Sequence, residues 1–237
     1  KINKYQIGQV EFRKKAYDYA LKYVNLQREE FIRMGVFGEW DNSYLTLNHE
    51  YEEGIVASFA DLVKKGYIYR GLKPVNWCYK CETALAEAEV EYEDHTSVSI
   101  YVKFKLEAAK DFSPDSYLVI WTTTPWTLIA NVAVAVNPDF VYSYINTEKG
   151  NFIIANVRLQ ILDQMGIDKY EVIREIKGKD LENMVYVHPF GLRKGKVVLA
   201  QYVSSEDGSG LVHIAPGHGA EDYLIGVKYK LDIVMPV

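Results

Sequence analysis

Apolar residues recur at intervals of three and four through the first part of the chain, the spacing that places side chains on one face of an α-helix. The pattern continues to residue 34, and Gly35 and Gly38 end it. The apolar stripe consists of Phe12, Ala16, Tyr19, Ala20, Tyr23, Phe31 and Met34. A helix is therefore predicted here.

A second helix is predicted over residues 48–65. Asn48 stands in the N-cap position, and three glutamates soon after it lie near the positive end of the helix dipole. Lys64, Lys65 and Gly66 favour termination at the other end. The residues expected to form its buried stripe are Ile55, Phe59, Leu62 and Val63.

From about residue 67 the pattern changes from helices to strands. Residues 97–104 alternate polar and apolar, which predicts a half-buried strand. Further apolar runs that predict strands span 117–121, 132–136, 141–145, 152–155, 196–202 and 210–214. Two helices are predicted among them, around 156–165 and 221–229. We therefore expect an α/β protein, with a helical arm and connecting segment over 1–95 and a compact β-rich domain over 96–237.

The composition suits a folded protein in a reducing compartment. A length of 237 residues is comfortable for two domains, and 49% hydrophobic with 25% charged residues excludes wholesale disorder. The longest apolar stretches fall far short of the ~20 residues that span a bilayer, and we find no signal peptide. Two cysteines three positions apart cannot staple a fold, so we expect a cytoplasmic protein with no membrane contact.

The charge argues against a general nucleic-acid coat. Lys and Arg number 27 against 32 Asp and Glu, a net charge of −5, whereas nonspecific affinity comes from neutralising phosphates. The sequence still allows a local basic patch that binds nucleic acid. Arg193, Lys194 and Lys196 could contact phosphates, although a solvated turn before a strand is the simpler interpretation.

Cys78 and Cys81 form a C-x2-C pair, which is half of a zinc ribbon. A structural zinc needs four ligands, and the sequence has no second cysteine pair; His95 is an isolated candidate. Three interpretations remain: a complete zinc site within this chain, a half-site completed by residues outside this sequence, and two reduced cysteines in a tight turn, with the last two favoured.

A threonine-rich segment, WTTTPWT from position 121, follows a predicted strand. Thr122, Thr123 and Thr124 place hydroxyls on both faces of an extended segment, where they can bind a sugar or a phosphate. β-branched residues also favour strand ends without any further role. The flanking Trp121 and Trp126 are large enough to line a pocket, which favours a functional site.

A predicted strand ending at Ile214 leads into a loop with Gly217 and Gly219, whose small size lets a backbone approach a ligand. Four titratable residues cluster there: His213, His218, Glu221 and Asp222. Each alone has a structural explanation, such as an acid at a helix N-terminus, but together they favour a site. The motifs G-x-S-x-G, G-x-x-x-x-G-K-[ST] and H-E-x-x-H do not occur, so no covalent nucleophile is indicated.

Taken in order, these segments resemble the large connective insertion of isoleucyl-tRNA synthetases, which carries their editing domain. The resemblance runs essentially from end to end. The matching segments are RMGV at 33–36, WD at 40–41, KPVNWC at 73–78, TALAEAEVEY at 83–92, WTTTPWTL at 121–128, HPF at 188–190 and HIAPGHGAED at 213–222. The related valyl and leucyl enzymes share the editing fold, but the valyl pattern is closer to TTRPET than to TTTPWT.

The sequence departs from the family at a few points. Ile129 stands where the family commonly has proline, and Ser209 replaces the threonine of a glycine-threonine-glycine segment while keeping its hydroxyl. The HIGH and KMSKS signatures of adenylate formation occur nowhere in the sequence. We therefore expect a fragment that does not itself activate isoleucine or charge tRNA.

The resemblance implies a compact, β-barrel-like editing domain that hydrolyses valyl-tRNA(Ile), or valyl-adenylate, by means of a positioned water. A binding pocket discriminates only weakly against an amino acid that lacks one methylene group. Valine is therefore attached in place of isoleucine at times, and a second site must remove it. No catalytic metal is expected, and zinc would belong to the full-length, ATP-binding enzyme. The expected partners of this monomer are the 3′ end of tRNA(Ile), the valine moiety and the rest of the synthetase chain.

The resemblance also assigns roles to residues. Asp222 should bind the substrate ammonium, and His213 should contact the substrate and exclude isoleucine by bulk. The other expected positions are Thr122 and Thr124 in catalysis, and Thr123, Trp126, Thr127, Gly217 and His218 in substrate binding. The general base stays open between His213 and a ribose hydroxyl of the substrate, with the second favoured.

Two alternatives remain at the level of sequence. The fragment could be a tRNA-binding or structural module without catalysis. It could also be a valyl-type editor acting on threonyl-tRNA, whose site must satisfy a hydroxyl where a valine site can be apolar. Substrate preference separates the two editors.

Overall fold

The computed structural model describes residues 6–107 and 111–236. The chain divides into two compact units, Lys1–Arg70 and Gly71–Val237. The predicted division by function at residue 96 stays a prediction, and the segment from 71 to 95 lies structurally with the second unit.

The first unit contains the two predicted helices, α1 (Gln9–Arg33) and α2 (His49–Lys64), with a short 3-10 turn between them. Asn48 occupies the N-cap of α2, but its side chain makes no capping bond, contrary to expectation. Its backbone carbonyl accepts the N–H groups of Tyr51 and Glu52 instead.

The prediction that α2 has a buried apolar stripe is wrong for this unit. Ile55 and Phe59 are each 55% exposed, and the apolar face of α1 is exposed as well. The helical spacing was recognised correctly, but within the described part of this unit no sheet or third long helix covers either face.

The second unit begins with an antiparallel hairpin of β1 (Asn76–Cys78) and β2 (Thr83–Leu85), which carries both cysteines near its turn. A larger sheet follows, with the short helix α3 (Ile161–Gln164) and α4 (Ala220–Tyr229). Its strands are β3 (Ile100–Leu106), β4 (Ser116–Thr122), β5 (Ala133–Val136), β6 (Val141–Thr147), β7 (Gly150–Ala155), β8 (Tyr170–Lys177), β9 (Val185–Val187), β10 (Lys194–Leu199) and β11 (Leu211–Ile214).

The large sheet is mixed and curled. Its strand order is β11-β5-β10-β9-β3-β4-β7-β6-β8, with β10–β5 and β4–β7 parallel and the other pairs antiparallel. The terminal strand β11 packs back against β4, in keeping with the predicted barrel-like shape. Tyr142 of β6 donates a hydrogen bond to the carbonyl of Gly210, which joins distant parts of the curled sheet. The α/β class is thus confirmed.

Several boundaries differ from the prediction. The strand expected over 97–104 begins at Ile100, and the helix expected over 156–165 is a 3-10 turn followed by the four residues of α3. The strand expected over 196–202 ends at Leu199, and the Asn137 amide donates to the carbonyls of Gln201 and Val203 in the turn and loop that follow. Strands β8 and β9 were not predicted. In the described part of the chain, no helix has both the length and the apolar character to cross a membrane.

Candidate functional site

A cavity of about 750 Å³ lies in the second unit, between β11 and the loop after it, the 3-10 turn Pro125–Ala130, the start of α4, the chain around β1 and the segment after α4. We call it the His213 cavity. Its volume lies within the range of small-molecule sites. It is lined by Val75, Trp77, Thr124, Trp126, Thr127, Ile129, His213, Ala215, Gly217, His218, Asp222 and Pro236.

The threonine-rich segment turns into the cavity because of its proline. Pro125 occupies the first turn of the 3-10 helix, where a missing N–H leaves no donor unpaired. The Thr124 N–H donates to the hydroxyl of Thr122 (3.1 Å), and the Thr127 hydroxyl donates to the carbonyl of Thr124 (2.8 Å). The turn therefore brings the hydroxyls of Thr124 and Thr127 to the cavity wall, 3.3 Å apart.

His213 contacts this turn through its ring. Its Nε2 lies 3.0 Å from the Thr127 hydroxyl oxygen. Because that hydroxyl gives its proton to Thr124, the arrangement is satisfied when Nε2 carries the hydrogen and Thr127 accepts it. The other ring nitrogen, Nδ1, is buried and has no hydrogen-bond partner among the described residues.

Burial keeps His213 neutral. The side chain sits on β11 opposite Val134 of β5 and is only 7% exposed. Desolvation, assisted by the nearby His218, lowers the pKa of the imidazole from 6.5 to about 4. At neutral pH the ring is therefore an uncharged donor that is fixed against Thr127.

Asp222 lies in the first turn of α4, at the opposite end of the same loop. One carboxylate oxygen accepts the Ala215 N–H at 2.9 Å, and the other lies 3.4 Å from the Tyr202 hydroxyl, which donates to it. Burial raises the pKa of Asp222, and these two hydrogen bonds partly offset that effect. A partly desolvated carboxylate that lines a cavity is well suited to a cationic group.

The rest of the wall is largely apolar. Trp77 and Trp126 are 60% and 69% exposed, so each presents most of an indole surface. Trp77 belongs to β1 and Val75 directly precedes it, and the sequence did not connect this hairpin with the site. The cavity wall thus combines polar groups, among them Asp222 and the threonines, with two exposed tryptophan side chains.

Some expected residues do not line the cavity. Thr122 is buried behind Thr124 and supports its backbone, and Thr123 is exposed, with its carbonyl accepting the hydroxyl of Ser97. Trp121 packs beside Gly208, and Glu221 is exposed at the helix start. The expected residues that meet at the wall are Thr124, Trp126, Thr127, His213, Gly217, His218 and Asp222.

Two buried residues behind the site were missed. His188 accepts the Phe190 N–H at Nδ1 and donates from Nε2 to the Leu128 carbonyl, and burial lowers its pKa. Asn131 accepts the hydroxyl of Tyr186. Both fix the segment that carries Thr127. The HPF segment at 188–190 was visible in the sequence, but its partners are about sixty residues away.

The two cysteines offer half of a metal site. The Cys81 N–H points at the Cys78 sulfur at 3.4 Å, and this bond together with others from the turn lowers the pKa of the Cys78 thiol. A low thiol pKa suits metal binding. The described residues contain no cluster of three or more His, Cys, Asp or Glu able to hold a metal ion, so a four-ligand zinc site does not fit them alone.

Known proteins match the chain along its full length. The isoleucine–tRNA ligase of Carboxydothermus hydrogenoformans is 52% identical over 237 residues, all of this chain and 26% of that protein. The isoleucine–tRNA ligase of Thermotoga neapolitana is 52% identical over 98% of this chain and 25% of that protein. The chain therefore spans about a quarter of the length of these relatives.

A solved structure, the editing domain of the cytosolic leucyl-tRNA synthetase of P. knowlesi, is similar over 56% of this chain and 62% of that one, with 14% identity and a TM-score of 0.48. The family model of class I tRNA synthetases (I, L, M and V) matches residues 1–202. Because that match covers most of the sequence, the chain belongs to the class I tRNA synthetase family.

Proposed function

We propose that this chain is the editing part of an isoleucyl-tRNA synthetase, and that it hydrolyses the ester between valine and the 3′ end of tRNA(Ile), or valyl-adenylate. The observation that carries the proposal is the wall of the His213 cavity, where the half-buried Asp222 carboxylate and a neutral imidazole face one space. The 52% identity of this whole chain to part of an isoleucine–tRNA ligase supports the choice of amino acid.

Asp222 binds the α-ammonium of the substrate. Its carboxylate has two modest donors and no cationic side chain within ion-pair distance among the described residues. A bound ammonium supplies the missing positive charge in a partly desolvated place, which makes the interaction stronger than on an open surface.

His213 shapes the pocket and does not act as the general base. A pKa near 4 makes the imidazole a weak base, its Nε2 is committed to Thr127, and Nδ1 is inaccessible. A substrate ribose hydroxyl then positions the attacking water, while the protein orients the ester. The ring limits the space for the amino-acid side chain, so valine fits and isoleucine does not.

The remaining roles follow from position on the wall. Thr124 and Thr127 bind the acyl group and the adenosine, with Thr122 and Thr123 holding the turn that presents them. Trp126, together with Gly217 and His218, bounds the pocket on the outside. No catalytic metal takes part, and zinc at Cys78 and Cys81 would need donors from the rest of the synthetase. We propose a cytoplasmic, monomeric parent enzyme that binds tRNA(Ile) and ATP.

The test is hydrolysis of valyl-tRNA(Ile) and isoleucyl-tRNA(Ile) by the chain and by Asp222→Asn. The asparagine keeps an oxygen for the Ala215 N–H but loses the charge. We expect cleavage of the valyl ester only, with most of the rate lost in the variant. Full activity of a folded Asp222→Asn would refute the ammonium role.

Two further arms separate the alternatives. Preferential cleavage of threonyl-tRNA over valyl-tRNA would indicate a valyl-type editor. Binding of tRNA without cleavage of any ester, unchanged by Asp222→Asn, would indicate a binding module and refute the catalytic proposal. His213→Ala should enlarge the pocket and admit isoleucyl-tRNA(Ile); unchanged discrimination would remove His213 from the pocket wall.

A further inference from the structure

A second cavity of about 440 Å³ lies in the same unit, and we call it the basic cavity. Four cationic side chains and one acid line it: Arg193, Lys194, Lys196, Lys230 and Asp232. In a chain whose net charge is −5, this is a local reversal of sign. The run that the sequence suggested as a solvated turn therefore forms one wall of a concave site.

The four cationic side chains form two pairs that differ in whether they are bound to other groups of the protein. Arg193 donates to the carbonyls of Ile129 and Asn131, both at 2.9 Å, and Lys194 forms an ion pair with Glu107. These two hold the wall together. In the described part of the chain, no carboxylate lies within ion-pair distance of Lys196 or Lys230.

The backbone at Lys230 is strained in a way that shapes this cavity. Helix α4 ends there in the left-handed conformation, with φ of 53°, a place usually taken by glycine. The following Leu231 N–H bonds back to the Gly226 carbonyl, so the chain turns sharply and lays Leu231 and Asp232 along the cavity. Strain held at a non-glycine residue beside a charged cavity favours a functional role.

Two segments of the chain contribute residues to both the basic cavity and the His213 cavity. Ile129, whose carbonyl Arg193 holds, lines the His213 cavity, and Val132, three residues later, lines the basic one. The segment after α4 likewise contributes Leu231 to the basic cavity and Pro236 to the other. The two cavities are therefore neighbours along both segments, joined at the Arg193–Ile129 hydrogen bond.

We propose that the basic cavity binds a backbone phosphate of the nucleic-acid strand whose 3′ end enters the His213 cavity, with Lys196 and Lys230 as its ligands. This inference rests on the proposed function. Ammonium groups suit a phosphate as flexible point charges, and phosphate contacts fix register without reading sequence. The site would hold the strand while the ester is positioned.

The experiment compares the double variant Lys196→Gln and Lys230→Gln with the wild-type chain and with a matched control, Lys169→Gln. Lys169 is exposed just before β8, at the opposite end of the strand order. The affinity for uncharged tRNA(Ile) is measured across a salt series. We expect about tenfold weaker binding at low salt in the double variant only, and a salt slope smaller by about 0.7, the contribution of one neutralised phosphate on a single strand.

The double variant Lys196→Arg and Lys230→Arg should retain most of the affinity, because it keeps both charges. The binding measurement needs no hydrolysis, so failure of the editing proposal leaves this test intact. Equal salt slopes in all variants, or inorganic phosphate competing at a concentration as low as that of tRNA, would overturn the inference.

Discussion

The buried imidazole of His213 should make the folding stability fall steeply in mild acid. In the unfolded chain the ring takes up a proton below about pH 6.5, whereas in the fold it stays neutral until about pH 4. Between these values the unfolded state binds the extra proton, so the free energy of unfolding decreases as the pH falls. The stabilisation is fully present above pH 6.5 and lost by pH 4.

The size of this effect follows from the difference in pKa. At about 1.4 kcal/mol for each pKa unit, the change from 6.5 to about 4 corresponds to about 3 kcal/mol. The steepest slope is about 1.4 kcal/mol for each pH unit, that of one proton. Asp222 acts in the opposite direction, because its raised pKa makes the folded state take up a proton first.

The assay is urea unfolding of the wild type and of His213→Gln at several pH values between 7.5 and 4, followed by tryptophan fluorescence. Glutamine places an N–H near the position of Nε2, so it can still donate to Thr127 without titrating. Subtracting the two profiles cancels the contributions of Asp222 and the other groups. His95→Gln, which changes an exposed histidine, is the control and should follow the wild type. Parallel profiles for wild type and His213→Gln would refute the burial argument.

Three other predictions follow from single contacts. Thr127→Val should lower the free energy of unfolding by about 1–3 kcal/mol, because a buried donor loses its acceptor, while Thr127→Ser should lie close to the wild type in the same urea assay. Trp77→Ala should raise the KM for valyl-tRNA(Ile) several-fold and leave kcat near the wild-type value, with Trp77→Phe intermediate; a drop confined to kcat would contradict a role in the cavity wall. Gly210→Ala should destabilise the fold by about 2 kcal/mol or more, since φ is +77° and a Cβ would lie 2.3 Å from that of Ala155. Gly191→Ala, with φ of +69° and open space, measures the backbone part alone, and equal losses at both glycines would show that the contact is unimportant.

Most elements with a clear pattern of apolar residues could be predicted from the sequence. Strands such as β4 and β11 are buried and apolar, and α4 starts where its acidic first turn was expected. The edge strand β8 was missed because its side chains are almost all exposed, which leaves no alternating pattern. The three residues of β9 are too few to show a period at all.

The candidate site was predictable only in part. His213 and Asp222 are close in sequence, so their cluster was visible, and the threonine-rich segment had its own pattern. The contact between Thr127 and His213 spans 86 positions, and Trp77 reaches the cavity from a separate hairpin. Such meetings depend on how strands are ordered in the sheet, which the periodicity of single segments does not encode.

The hairpin also affects how this domain could be transplanted between synthetases. A shortened chain that starts at residue 96 would keep all nine strands of the large sheet but lose Val75 and Trp77, leaving the His213 cavity open on one side. Because Trp77 precedes Cys78, an agent that binds or alkylates that thiol acts one residue from the cavity wall. A graft that carries the sheet alone would move the chemistry without the surface against which its substrate rests.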